Sequence, residues 1–383
     1  MSQKLIGVFT SFESLTDPRL ERTRRHALLD IVVIALCATV AGANSWVDCE
    51  RFAKARLPWL RTFLALENGA PSHDTFGRVF ARLDPAQLAT CIARWLEVIG
   101  RDLGTHIAID GKTLRGSFDT AAGQSPLHLV SAWACDARLT LGQIATDAKS
   151  NEITAIPFLL DLLNLKGATV TIDAMGCQKD IAAKIVAGEG EYLLALKDNH
   201  PKLAEAVEAE FFAAITAETP PRDFRKHVTV EVNRGRQERR EYFAMPAPQT
   251  LPGFDEWPKL ATMIMVIRTT TTPGTTTTPG QETSAASYLV SSRIPRVKML
   301  AKLIRQHWSI ENQLHWVLDV NFTEDASRIR RQHAPQTAAM LRRLAVSILS
   351  LDTWVKDNLR GKRYRAALST DVLQQLLLGF SRI

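Results

Sequence analysis

Much that would place this chain in an envelope or a secreted scaffold is missing. The five cysteines, Cys37, Cys49, Cys91, Cys135 and Cys177, stand singly, with no Cys-x-x-Cys pair. Scattered thiols of odd number fit neither a zinc ribbon nor a disulfide framework, and they read as reduced, mostly buried side chains. No signal-peptide pattern opens the sequence. The apolar run over residues 31–43 is too short to span a bilayer and reads as a buried helix. Neither sign of charge dominates: 47 basic against 40 acidic residues leave a net +7. Glycine and proline sit near ordinary levels, so the bulk is expected to fold. These absences leave a cytoplasmic protein without membrane spans. With 383 residues, 46% of them hydrophobic, it has core enough for two or three domains.

The positive excess is uneven. Residues 293–365 carry Arg328, Arg330, Arg331, Arg342, Arg343, Lys362 and Arg363 among other cations, and few acids. One such cluster reads as a solvated face; several in one region favour a polyanion partner.

Periodicity divides the rest. The first third is helical in spacing, with helices over 31–42, from Trp46 to Pro58, and from Ser72 to Leu83. The pattern then turns to period two: strands are predicted over 106–110, 127–134 and 139–145, a helix over 152–163, a strand over 168–173, a helix over 178–187 and a strand over 192–197. This order, a meander followed by βαβ units, is an α/β plan with a mixed sheet. A helix over 201–215 precedes a β-rich block at 223–293, which contains a Thr/Pro/Gly-rich stretch, 269–280, expected to be a mobile loop. Two helices follow, over 297–318 and 335–354.

Two aspartates end apolar strands: Asp110 in Ile107-Ala108-Ile109-Asp110-Gly111-Lys112 and Asp173 in Val170-Thr171-Ile172-Asp173-Ala174. Ligands of open α/β sheets collect at the carboxyl ends of strands, where an aspartate reaches a metal; the plainer role is a turn cap. A third carboxylate, Glu311, lies at ideal helical spacing on the side of Ile304, His307, Trp308, Leu314, His315 and Leu318, which should face the core. A carboxylate buried there needs a metal or an ion pair. Asp319, Glu324 and Asp325 follow, in positions where water or Arg328 and Arg330 would satisfy them. Three carboxylates suit magnesium, which prefers hard oxygen ligands. Lys112, Arg115, Lys197 and Asn199 stand where they can meet phosphates, with solvated surface the equal alternative. Trp257 can stack on a flipped base or belong to the core.

The segments Ile109-Asp110-Gly111-Lys112-Thr113-Leu114-Arg115-Gly116-Ser117, Thr171-Ile172-Asp173-Ala174-Met175-Gly176-Cys177-Gln178, Tyr192-Leu193-Leu194-Ala195-Leu196-Lys197-Asp198-Asn199 and His307-Trp308-Ser309-Ile310-Glu311-Asn312 resemble the ISAs-type insertion-sequence transposases. These include the H-repeat-associated proteins and belong to the wider IS-four-like superfamily, and the likeness runs over nearly the whole chain. The resemblance implies an RNase H-like mixed sheet with a β-rich insertion before the catalytic helix, preceded by a small helical domain. The parts would be a helical transposase-associated domain (1–98), the first part of the catalytic core (103–222), the insertion (223–293), and the catalytic helix with a basic helical end (294–383). It implies Asp110, Asp173 and Glu311 as catalytic metal ligands for magnesium, two ions with manganese as a substitute. It also implies cleavage and strand transfer on double-stranded DNA ends by a homodimer in a synaptic complex, in a bacterial, nucleoid-associated setting. Where the superfamily has Tyr, Arg and Lys around its glutamate, this sequence has Ile304, His307 and Leu318, so His307 takes the place of a phosphate-binding arginine. Arg328, Arg330 and Arg331 would add backbone contacts. A metal nuclease that does not rejoin its product and an inactive DNA-binding remnant are the alternatives.

Overall fold

The structure, a computed structural model, describes residues 9–99, 103–120, 123–146, 152–197, 199–233, 235–273 and 280–378. The chain falls into two compact units: the first comprises residues 1–104, 111–151 and 309–383, the second residues 105–110 and 152–308.

The first unit is mainly helical. Leu28–Val40 is apolar all round and almost wholly buried, as a helix that meets neighbours on every side must be. It ends at Gly42, whose φ of +111° an L side chain rarely adopts. Trp46–Ala55 starts from a capping box, in which Ser45 and Asp48 satisfy each other's backbone donors. His73–Arg82 is capped by Ser72. The long C-terminal helix Ala334–Leu351 is buried along most of its length and packs against Leu28–Val40. Strands β2 (Leu127–Ala134) and β3 (Leu139–Ala145) form an antiparallel hairpin, and Leu129 packs with Leu114 and Ala339.

The second unit is built on a mixed sheet. The first part of β1 (His106–Leu114) pairs in parallel with β4 (Thr169–Ile172), and β4 with β5 (Glu191–Leu196). Next to β5 come β9 (Gln281–Ser291), β8 (Thr262–Thr272), β7 (Arg236–Pro246) and β6 (Arg225–Asn233), all antiparallel. The β-rich insertion is thus a continuation of the same sheet. The helix Val297–His307 lays Leu300, Ala301 and Leu303 on a core of Leu193, Tyr242, Ala244, Ile264, Val266 and Leu289. Each large side chain so buried contributes about 1.5–3 kcal/mol. Arg305 grips Glu231 of β6 through two N–H donors, each at 2.9 Å. The α/β class, the mixed sheet and the helical N-terminal part agree with the expectation from sequence.

Two local expectations are corrected. Thr269–Thr272 is not loop: these residues continue β8 and pair with Ser284 to Gln281, because β-branched threonine suits an extended ladder. The rest of that stretch, 274–279, lies outside the described residues. Nor is 297–318 one regular helix. The α-helix ends at His307, Ile310–His315 is π-helical, and Trp316–Phe322 resumes the α pitch.

Candidate active site

Asp110 and Asp173 both belong to the second unit. Ile109 pairs with Ile172 as the last step of the parallel ladder, so Asp110 and Asp173 follow level with each other where it ends; Asp173 lies just past β4, whereas Asp110, expected to end its strand, lies within β1, which runs on to Leu114. Strands so paired lie about 4.8 Å apart. Both aspartates are half-buried. Asp173 Oδ1 also accepts the N–H groups of Met175 (3.2 Å) and Gly176 (3.4 Å), so it caps the turn that follows. Glycine is required at 176, since a Cβ there would collide with the side chain of Ile172. The turn is held from outside as well. The Asn199 amide donates to the carbonyls of Ala174 (2.7 Å) and Cys177 (3.0 Å), and His200 Nε2 donates to Cys177 O at 2.7 Å. The Asn199 amide nitrogen is therefore spent on positioning the Asp173 turn and is not offered to a phosphate. Lys197 is exposed nearby.

Burial, then the charge of Glu152, push the Asp173 carboxyl above its ordinary range against the two N–H donors and Lys197. Glu152 is itself buried, in the first turn of Glu152–Asp161. Sequence reading passed over it because an acid opening an apolar helix is what the helix dipole favours anyway. Beneath the aspartates, Thr171 Oγ1 lies 2.9 Å from both His106 Nε2 and His307 Nδ1. Desolvation, with the His106 ring adding, lowers the His307 imidazole to about 4. His307 is consequently neutral near pH 7. In that form it can meet a phosphate only as a hydrogen-bond donor and not as a cation in the manner of an arginine.

Glu311 lies in the first unit and is exposed. The sequence argument put it on a buried stripe by assuming 3.6 residues per turn. The π segment, closed by the Trp316 N–H to Glu311 O bond, widens the turn, so that Ile310 joins Leu314, His315 and Leu318 in the core and Glu311 is left outside it. The buried acid of this region is instead Glu324, paired with Arg343 (3.0 Å) and Arg342 (3.6 Å). Lys112 is enclosed by Asp319 at 2.7 Å and Asp325 at 3.1 Å, so its ammonium is not presented to DNA. Arg115 is exposed, 3.5 Å from Asp325. Arg328 and Arg331 are exposed, while Arg330 bonds Gly116 O at 3.1 Å and stacks on Phe118. Trp257 is buried, as a core residue. Among the described residues, no three His, Cys, Asp or Glu side chains converge to metal-binding distance, and no helix is long and apolar enough to cross a membrane.

Residues 101–348 match the family model described as "Transposase DDE domain". The chain belongs to the DDE transposases. Residues 9–96 match the companion model "DDE_Tnp_1-associated". "Putative transposase YncI" of Escherichia coli O157:H7 is 37% identical over 375 residues, covering 96% of this chain and 94% of the relative. "H repeat-associated putative transposase YhhI" of Escherichia coli (strain K12) is 38% identical over 356 residues, 92% and 93% of the two chains. The solved structure titled "Cryo-EM structure of piggyBac transposase synaptic complex with hairpin DNA" aligns over 99% of this chain and 77% of its own, with 10% identity and a TM-score of 0.39, too low to carry functional weight. With DDE membership, the RNase H-like interpretation of the sheet and the insertion-sequence resemblance stand on the family as well as on the element order.

Proposed function

We propose that this member of the DDE family cleaves and rejoins double-stranded DNA at insertion-sequence ends, with Asp110 and Asp173 as metal ligands and Glu311 as the third carboxylate. The observation that carries the proposal is the level placement of Asp110 and Asp173 on parallel neighbours. Burial first, and then the charge of Glu152, disfavour the ionised Asp173 carboxyl, and a bound divalent cation would offset both. The donor set fits magnesium, which is commonly held by one or two carboxylates and completes its shell with water and substrate phosphate oxygens. Bound magnesium, as one ion or two, supplies activation of the attacking oxygen and stabilisation of the leaving oxygen; manganese is the natural substitute.

The chain's own residues fix the geometry. The β1–β4 ladder sets the spacing of the aspartates, and Asn199 and His200 hold the turn behind Asp173 so that its second oxygen keeps one direction. His106, Thr171 and His307 tie both strands to the helix Val297–His307 beneath them. Glu311 is open to solvent and can meet substrate without desolvation. Arg115, Lys197, Arg328 and Arg331 are exposed cations for the phosphate backbone. A second copy would supply the other DNA end.

The test uses DNA carrying the element's own flanks, with and without a joining target. Magnesium-dependent nicks at the ends followed by joined product are expected. Nicks without joining would reassign the protein as a nuclease, and binding without nicks as a non-catalytic remnant.

A further inference from the structure

The helix Leu359–Leu368, in the first unit, turns no apolar stripe to the core: its buried side chains are Lys362, Arg363 and Ala366. A surface helix normally buries a band of apolar residues, and this one docks through cations instead. Arg363 donates to Thr39 O (3.2 Å), Ala43 O (3.1 Å) and Asn44 Oδ1 (2.8 Å), and its guanidinium lies 4.0 Å from the centre of the Phe322 ring. Lys362 donates to Leu349 O (2.9 Å) and pairs with Asp352 (3.1 Å). Arg56 holds the far end, donating to Ala367 O at 2.8 Å. Most of these acceptors are backbone carbonyls, which cannot swing away, so the helix is fixed in its roll about its own axis.

That roll turns the opposite arc to water. Arg360, Tyr364, Arg365 and Leu368 are exposed, and at about 100° per residue they fall within about 140° of one another. Tyr364 and Leu368 show 66% and 63% of their surfaces. Arg360 and Arg365 have no ion pair among the described residues. The acid ahead of the helix, Asp357, is turned to the backbone, its Oδ1 accepting the Asn358 N–H at 2.8 Å. Two unpaired guanidinium groups around a phenol suit a duplex backbone, where arginine and tyrosine both donate to phosphate oxygens. Five residues, about 7.5 Å of rise, separate the arginines. Phosphates of one strand rise about 3.4 Å each, so the pair spans two or three of them. The arc carries no Asn, Gln, Asp or Glu, the side chains that pair with adenine and cytosine edges.

We infer that this face of the helix Leu359–Leu368 is a sequence-independent docking surface for the phosphate backbone of double-stranded DNA, with Arg360 and Arg365 as its phosphate contacts and the Tyr364 hydroxyl as a further donor. The inference rests on the DNA reading above and adds to it a surface that takes no part in the chemistry. The buried and exposed cations of the helix then have separate work: Lys362 and Arg363 fix the roll, and Arg360 and Arg365 meet the polyanion.

The probes are two dye-labelled duplexes, one of mixed sequence without the element's ends and one carrying an end. Each is titrated with the full chain in chelator at several salt concentrations and read by fluorescence anisotropy. The variants are Arg360→Gln with Arg365→Gln, and Arg360→Lys with Arg365→Lys, both checked for unchanged thermal unfolding. In the glutamine pair the slope of log affinity against log salt is expected to shrink by about 0.9 for each lost phosphate contact, alike on both duplexes, while the lysine pair keeps the parent slope. A parent slope in the glutamine pair would overturn the surface and leave the transposase reading intact. So would a loss confined to end DNA, or one that the lysine pair shares, since either marks base reading. A parent protein that binds neither duplex sinks this inference together with the DNA reading.

Discussion

The carboxylate of Glu324 stands 3.0 Å from the guanidinium of Arg343, with both side chains almost wholly out of water. Arg343 also donates to Ser131 Oγ at 3.3 Å, which links Glu324 to β2. Removing one partner of a buried ion pair leaves the other charged and desolvated, at a cost of about 3–5 kcal/mol. Glu324→Gln should therefore lower the urea midpoint strongly, whatever it does to catalysis. Asp319→Asn, whose partner Lys112 keeps Asp325, should cost far less. Equal destabilisation by the two would show that Arg343 finds another acceptor.

Asp110→Asn and Asp173→Asn preserve shape and remove a charged oxygen donor each. Magnesium-dependent cutting of end DNA should fall by more than the roughly 10–100-fold typical of outer-shell changes, with DNA affinity kept. Near-normal turnover in either variant would remove that residue from the ligand set. Glu311→Gln is expected to behave like the aspartate variants while melting like the parent, since its side chain is exposed.

Charge in the C-terminal region divides by burial. Arg328 and Arg331 are exposed; Arg342, Arg343, Lys362 and Arg363 are buried and bonded internally. Neutralising Arg328 and Arg331 together should flatten the dependence of DNA affinity on salt by about 0.9 log units per log unit of salt for each lost phosphate contact. Neutralising Arg343 should instead lower stability. An unchanged salt slope in the first variant would mark the pair as solvated surface.

Stability should rise with pH across the acid range. Desolvation is the main cause lowering His307 to about 4 and His315 to about 3 from the ordinary 6.5, helped by His106 in the first case and by Arg343, Lys112 and His128 in the second. Between those values and 6.5 the unfolded chain binds protons that the folded chain refuses. Folding free energy is thus gained as pH climbs through the window and lost as it falls. A urea midpoint that climbs and levels off above about 6.5 is expected, and His307→Asn should reduce the climb. A flat profile from about 4 to 6.5 would contradict it.

The strands bearing Asp110 and Asp173 were legible because alternation and strand-end acids are local signals, and their level register follows from parallel pairing. The exposure of Glu311 was not, since a helical wheel presumes one pitch and the pitch changes at Ile310. The fate of the cations was hidden for another reason. Whether Arg343 meets Glu324 or a phosphate depends on what folds over it, and neither charge nor spacing records that. Lys112 looked like a phosphate contact by its place after Asp110, yet its partners come from more than 200 residues further along.

The π segment also works as a phase shifter. Side chains after it are written in a different angular frame from those before it, so the apolar pattern of the stretch makes sense only with the wide turn present. A single residue deleted within Ile310–His315 would let the α pitch resume with the later side chains in the frame they already occupy, whereas the full stretch wound at the α pitch would turn everything beyond by about 100°. The segment Trp316–Phe322 would have to repack or detach, although no polar contact had been removed. A one-residue deletion should be better tolerated within the π turn than in the regular helix on either side of it, where it redirects a whole helix face.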